Sequence, residues 1–159
     1  MSPEEMEEVF GNEANYNVRE NPRGPAEFPD GSNWVSCTNW AHYVRRVLGD
    51  RAQIFGFDQD ENPASQIAQE CGGHDFAVVD ERYIVDGWIK NVDHLSQRAV
   101  FDLDDPDQAD EIRRYYGDRS AWGRGDANEA ALDRESPATR ARAMEGTRFL
   151  GAVPVPSFG

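Results

Sequence analysis

Between Ser36 and Gly49, the apolar residues Trp40, Val44, Val47 and Leu48 recur at helical spacing. With a capping serine before it and a glycine after it, that period predicts a core helix over residues 37–48. Further along, the period becomes that of strands. Phe76–Val79 and Tyr83–Val85 are short, β-rich apolar runs on either side of Asp80, Glu81 and Arg82. They read as a hairpin whose second strand continues through Asp86 to Trp88. Residues 98–103 supply a third candidate strand.

Proline directly after a capping residue, with glycine at the far end, marks the start and stop of four further helices. Ser2-Pro3 opens one closed by Gly11, Asn62-Pro63 one closed by Gly72, Asp105-Pro106 one closed by Gly117, and Ser136-Pro137 one over 137–145 closed by Gly146. Residues 12–33 carry Pro22, Gly24, Pro25, Pro29 and Gly31 among polar neighbours and read as a loop. The pattern as a whole predicts an α+β fold, with the 37–48 helix packed on a small antiparallel sheet. At 159 residues one domain is expected. Residues 1–33 would form its N-terminal helix and loop, 34–117 its core, and 118–159 a peripheral segment.

Charge narrows the function classes. Sixteen basic against 30 acidic residues give a net charge of -14. Binding to nucleic acid needs clustered cations to displace counterions, so this balance argues against nucleic acid and, for the same reason, against anionic membranes. No run approaches the roughly 20 apolar residues of a membrane span. The start Met1-Ser2-Pro3-Glu4-Glu5 lacks the basic, then apolar, pattern of a signal peptide. The chain is therefore expected to be cytoplasmic at synthesis, with export only by a route that needs no such signal. Two cysteines, Cys37 and Cys71, are too few for a disulfide scaffold.

Cys37 falls on the first turn of the 37–48 helix, where unpaired backbone N–H groups and the positive end of the dipole favour an anion such as a thiolate. His74 begins the first strand of the hairpin and Asp86 ends the second. Whether they meet depends on register. If Asp80–Arg82 form a three-residue loop, Val79 lies opposite Tyr83, and His74, Phe76, Val78, Ile84, Asp86 and Trp88 share one face. His74 and Asp86 are then diagonal neighbours, about 7 Å apart at their β-carbons. A two-residue loop would send them to opposite faces. A thiol, an imidazole and a carboxylate in this order divide the work of covalent acyl transfer into nucleophile, base and orienting group. The backbone N–H of Cys37 and the side chain of Asn33 are candidate oxyanion donors. Trp34 and Trp88 are candidate walls of a substrate groove.

A cysteine at a helix start followed by histidine and aspartate on adjacent antiparallel strands resembles the papain-like cysteine protease superfamily, in particular its transglutaminase-like and bacterial effector branches. The matching pieces are Ser36-Cys37-Thr38-Asn39-Trp40, Gly73-His74-Asp75-Phe76-Ala77-Val78-Val79 and Tyr83-Ile84-Val85-Asp86-Gly87-Trp88, within residues 33–90. The resemblance implies hydrolysis of peptide or isopeptide bonds, deamidation of glutamine, or acyl transfer to amines, acting on a protein or peptide without a cofactor or metal. Papain itself carries a glutamine upstream of its cysteine as oxyanion donor, whereas no glutamine precedes Cys37 here.

Three other readings use the same residues. Cys71 and His74, spaced Cys-x-x-His, could join Cys37 and Asp86 around zinc, although a second close-spaced ligand pair is missing. Cys37 and Cys71 could form a disulfide. The acidic chain could also be a catalytically silent protein-binding module. Asp102, Asp104, Asp105 and Asp107 lack the glycine and distal glutamate of a calcium loop and read as a solvated run capping the next helix.

Overall fold

A computed structural model describes residues 1–12, 27–32, 34 and 36–124. Helix α1 (Pro3–Gly11) is opened by a reciprocal capping box between Ser2 and Glu5. Helix α2 (Cys37–Leu48) begins where the Ser36 hydroxyl accepts the Asn39 N–H at 3.1 Å, and it stops at Gly49. The chain then forms strand β1 (Ala52–Asp58), helix α3 (Gln66–Cys71), strand β2 (Gly73–Val79) and strand β3 (Tyr83–Val85). Helix α4 (Gly87–Asn91), strand β4 (Val100–Asp102), helix α5 (Ala109–Tyr116) and strand β5 (Gly123–Arg124) follow. The fold is α+β, with an antiparallel sheet in the order β4-β3-β2-β1-β5.

The sheet is covered on both sides. Ala52, Ala77, Val79 and Val85 pack with Met6, Val9 and Phe10 of α1 and Tyr43, Val44 and Val47 of α2. On the opposite face Phe57, Phe76, Val78, Ile84 and Phe101 meet Ile67 of α3, Ile89 of α4, and Ile112 and Tyr116 of α5. From the loop before α2, Phe28 stacks on Tyr43, with ring centroids 4.1 Å apart. Asp30 pairs with Arg46 at 2.9 Å, and both side chains are buried. No helix among the described residues is long and apolar enough to cross a membrane.

Several expectations need correction. Strand β1 was not anticipated, although it pairs with β2 along seven residues. The second hairpin strand ends at Val85 rather than Trp88, because Asp86 caps α4 by accepting the Ile89 N–H at 3.3 Å. A β-carbon on Gly87 would lie 2.2 Å from the Trp40 ring and 2.6 Å from the Phe10 carbonyl oxygen, so only glycine lets the chain pass beneath α1 and α2 here. Helix α3 is capped by Ser65, not Asn62; the Asn62 amide instead donates to the Tyr116 carbonyl at 2.8 Å and accepts the Asp118 N–H at 3.2 Å. The segment opened by Asp105-Pro106 begins with a 3-10 turn (Pro106–Gln108) before α5. The expected 137–145 helix lies outside the described residues, as does most of the 12–33 loop.

Register follows the three-residue loop: Val79 faces Tyr83, Val78 faces Ile84 and Ala77 faces Val85. Asp80 (φ 54°) and Glu81 (φ 56°) both occupy the left-handed region, and Arg82 N–H closes the turn on the Val79 carbonyl at 3.1 Å. Arg51 grips the Asp80 carboxylate through two nitrogens, at 2.9 and 2.6 Å, whereas Glu81 is exposed. A side chain in this conformation costs roughly 1 kcal/mol that glycine avoids. Glu81→Gly is therefore expected to stabilise the chain by about 0.5–1 kcal/mol in urea unfolding, and a loss of stability would contradict this account of the turn.

Candidate active site

Three elements deliver the three predicted groups to one place. Cys37 is the first residue of α2 and is half-buried. The Asp75 N–H, on β2, points to its sulfur at 3.5 Å, and Thr38 Oγ1 donates to the Asp75 carboxylate at 2.6 Å. These two bonds fasten the first turn of α2 to the start of β2. His74, next to Asp75, is buried, and its Nε2 lies 2.6 Å from Asp86 Oδ2. Nδ1 makes no hydrogen bond. That nitrogen is the one left for Cys37, whose side chain is near enough to raise the basicity of the ring.

Asp86 accepts more than one donor. Besides His74, its Oδ2 accepts the hydroxyl of Tyr116 at 2.7 Å, while Oδ1 caps α4. Aromatic rings enclose the imidazole: Trp88 at 5.1 Å between centroids, Phe76 at 5.8 Å and Tyr116 at 5.9 Å. Burial opposes a charged ring, but the Asp86 carboxylate, through charge and hydrogen bond, and the Cys37 side chain outweigh it and push the His74 pKa up to about 10. Burial, reinforced by the adjacent Asp86 charge, holds the Tyr116 phenol well above its ordinary range. It is a permanent donor.

Trp88 is half-buried beside His74. Trp34 is only 7% exposed and packs against Trp40, at 6.1 Å between ring centroids, so it belongs to the core rather than to an open groove wall. Asn33 lies outside the described residues. Cys37 and Cys71 are both free thiols. No group of three or more His, Cys, Asp or Glu side chains among the described residues is arranged to hold a metal ion. Cys71 is exposed, and burial together with Asp93 and Glu70 pushes its thiol up. Asp102 pairs with Arg82 at 2.9 Å, and Asp105 caps the turn before α5.

Thr38, Asp75 and Tyr116 were missed by sequence reasoning. Thr38 and Asp75 each adjoin a predicted residue, which was a usable signal. Tyr116 carries none, being one of two tyrosines ending an amphipathic helix 30 positions beyond Asp86. No protein-family model, curated protein or solved structure matches the chain.

The raised His74 pKa has a definite sign for stability. The pair's contribution is complete below the ordinary imidazole value of 6.5 and is lost as pH rises through about 10. NMR titration is expected to show the His74 ring protonated through neutral pH and releasing its proton near 10. In Asp86→Asn the counter-charge is gone while burial remains, so the midpoint should fall below 6.5. A wild-type midpoint near 6.5 would contradict the charged pair.

Proposed function

We propose that the chain is a cysteine-dependent hydrolase or acyltransferase acting on amide bonds of a protein or peptide, related in mechanism to the papain-like enzymes. One observation carries the reading: a half-buried thiol at a helix start adjoins a buried imidazole whose far nitrogen is bound to a carboxylate at 2.6 Å. Peptidase, amidase and glutamine deamidase differ in the amine that leaves, and all use the same steps.

With Nε2 held by Asp86, His74 enters the reaction as the imidazolium, its Nδ1 already carrying the proton given up by the thiol. The Cys37 sulfur attacks the carbonyl carbon, a C–S bond forms, and the π electrons move to oxygen. The Cys37 backbone N–H, which has no partner within its own helix, donates to that oxyanion. Collapse expels the amine, which leaves with the proton from His74 Nδ1, and a thioester remains. Water, or an acceptor amine, then gives a proton to His74 Nδ1 and attacks the thioester carbonyl; the C–S bond breaks, the acid or new amide departs, and sulfur again faces the protonated Nδ1. Asp86 keeps the ring oriented and stabilises the imidazolium throughout.

The silent-module reading draws on the charge of -14. It gives no role to a buried His74–Asp86 pair lying beside a thiol. A strongly perturbed imidazole beside a thiol supports chemistry.

Cys71 provides an internal control, since access alone would make the exposed thiol react first. With iodoacetamide at pH 6, peptide mapping is expected to show Cys37 alkylated at least about tenfold faster than Cys71. Incubation with p-nitrophenyl acetate should acetylate Cys37 in the wild type and in Cys71→Ala, but not in His74→Gln or Cys37→Ala. Faster labelling of Cys71, or acetylation independent of His74, defeats the proposal. Turnover should also fall as pH rises through about 10, where His74 loses the proton it must give the leaving amine.

A further inference from the structure

Among the described residues, Tyr116 is the buried side chain that hydrogen-bonds the triad and that the proposed chemistry leaves without a task. It closes α5, and its position is heavily determined. The Tyr116 carbonyl accepts from Asn62 Nδ2 at 2.8 Å and from the Trp122 indole at 2.9 Å, and the ring packs on Phe76 at 5.0 Å. Its hydroxyl is thereby aimed at Asp86 Oδ2, the same oxygen that faces His74 Nε2. Two donors on one oxygen compete for its charge. When His74 is protonated, the imidazolium already neutralises much of that charge. When His74 is neutral, the carboxylate bears its full charge and the phenol bond is at its strongest. The phenol therefore favours the state in which the ring has given up its Nδ1 proton and keeps the Nε2 proton on Asp86.

We propose that Tyr116 is a positioning residue that tunes the His74–Asp86 pair, keeping the carboxylate ionised and easing release of the imidazolium proton to the leaving group. The significance for catalysis rests on the acyl-transfer reading; the effect on the pair does not. Other ionisable groups face the pair as well. Cys37 does so from α2 and Asp93 from beyond α4, with Glu70 at the end of α3 behind Asp93, and Glu111 and Tyr115 lie near Tyr116 on α5. Apart from His74, Tyr116 is the one whose side chain hydrogen-bonds the Asp86 carboxylate among the described residues.

The test is the His74 titration followed by 15N NMR in the full chain. Tyr116→Phe removes the donor and keeps the ring, so the midpoint is expected to move upward by about half a unit or more. Tyr115→Phe, whose phenol instead reaches the Leu95 carbonyl at 3.5 Å, should leave the midpoint where it is. Biosynthetic replacement of tyrosine by 3-fluorotyrosine strengthens the donor without removing a contact and should move the midpoint down, which keeps the proposal testable if Tyr116→Phe folds poorly. An unmoved midpoint in folded Tyr116→Phe, or a fluorotyrosine shift in the upward direction, overturns it. Acetylation of Cys37 by p-nitrophenyl acetate separates the two claims. A shifted titration with no acetylation upholds the tuning and rejects the acyl-transfer reading, whereas normal acetylation with an unmoved titration does the reverse.

Discussion

An imidazole and a carboxylate at 2.6 Å, with side chains 0% and 1% exposed, dominate what the rest of the chain must do. Desolvating an imidazolium and a carboxylate costs several kcal/mol apiece, and their attraction offsets this only when the remaining lone pairs and protons are also satisfied. Asp86 meets that condition with donors from three different elements: His74 from β2, the Ile89 N–H from α4 and the Tyr116 hydroxyl from α5. Loss of any one element leaves a buried charge short of a partner. The docking of α4 and α5 on the sheet and the assembly of the site are for this reason coupled.

Placing that pair is a matter of parity. Side chains alternate across a strand, so one residue more or less in the loop at 80–82 would carry Asp86 to the face covered by α2. The loop accepts two non-glycine residues in the left-handed region to keep its length, and it is anchored by Arg51 on Asp80 and by Arg82 on Asp102. Local strain at the surface is thus tied to geometry about six residues away. Gly87 completes the device. By allowing close passage under Trp40, it ends the strand at Val85 and turns Asp86 from a strand residue into a helix cap, with one oxygen left for the imidazole.

Features that depend on neighbours in sequence were legible. The Ser36 cap, the extent of α2 and the Ser2-Pro3 start of α1 follow from local chemistry, whereas the hairpin register was open between a two- and a three-residue loop, and the three-residue form is the one that brings His74 and Asp86 together. What failed to show depends on tertiary context. Strand β1 is covered on both faces, so Ala52 and Ile54 are buried on one side and Phe57 on the other, and no clean alternation marks it. Asn62 has the form of a helix cap, but its amide is drawn to the Tyr116 carbonyl, and Ser65 caps instead. Tyr116 itself has no one-dimensional signature, because its partner is set by how α5 lies across the sheet.

The acidity of the chain and the basicity of its buried ring are separate matters. Exposed carboxylates are screened over about 10 Å at ordinary ionic strength, so most of the net charge of -14 exerts little field inside the sheet. Asp86 acts at contact distance in a medium that screens poorly, and it alone supplies both the leading favourable charge and the leading hydrogen bond to His74. The net charge therefore acts at the surface, while the ionisation of His74 is set by its one buried carboxylate partner. Cys37 sits between the two regimes: it is half-buried, fixed from below by the Asp75 N–H and by the Thr38–Asp75 bond, and placed where a polarised backbone meets a charged ring. A surface that only docked a partner would need the acidic exterior and none of this interior arrangement.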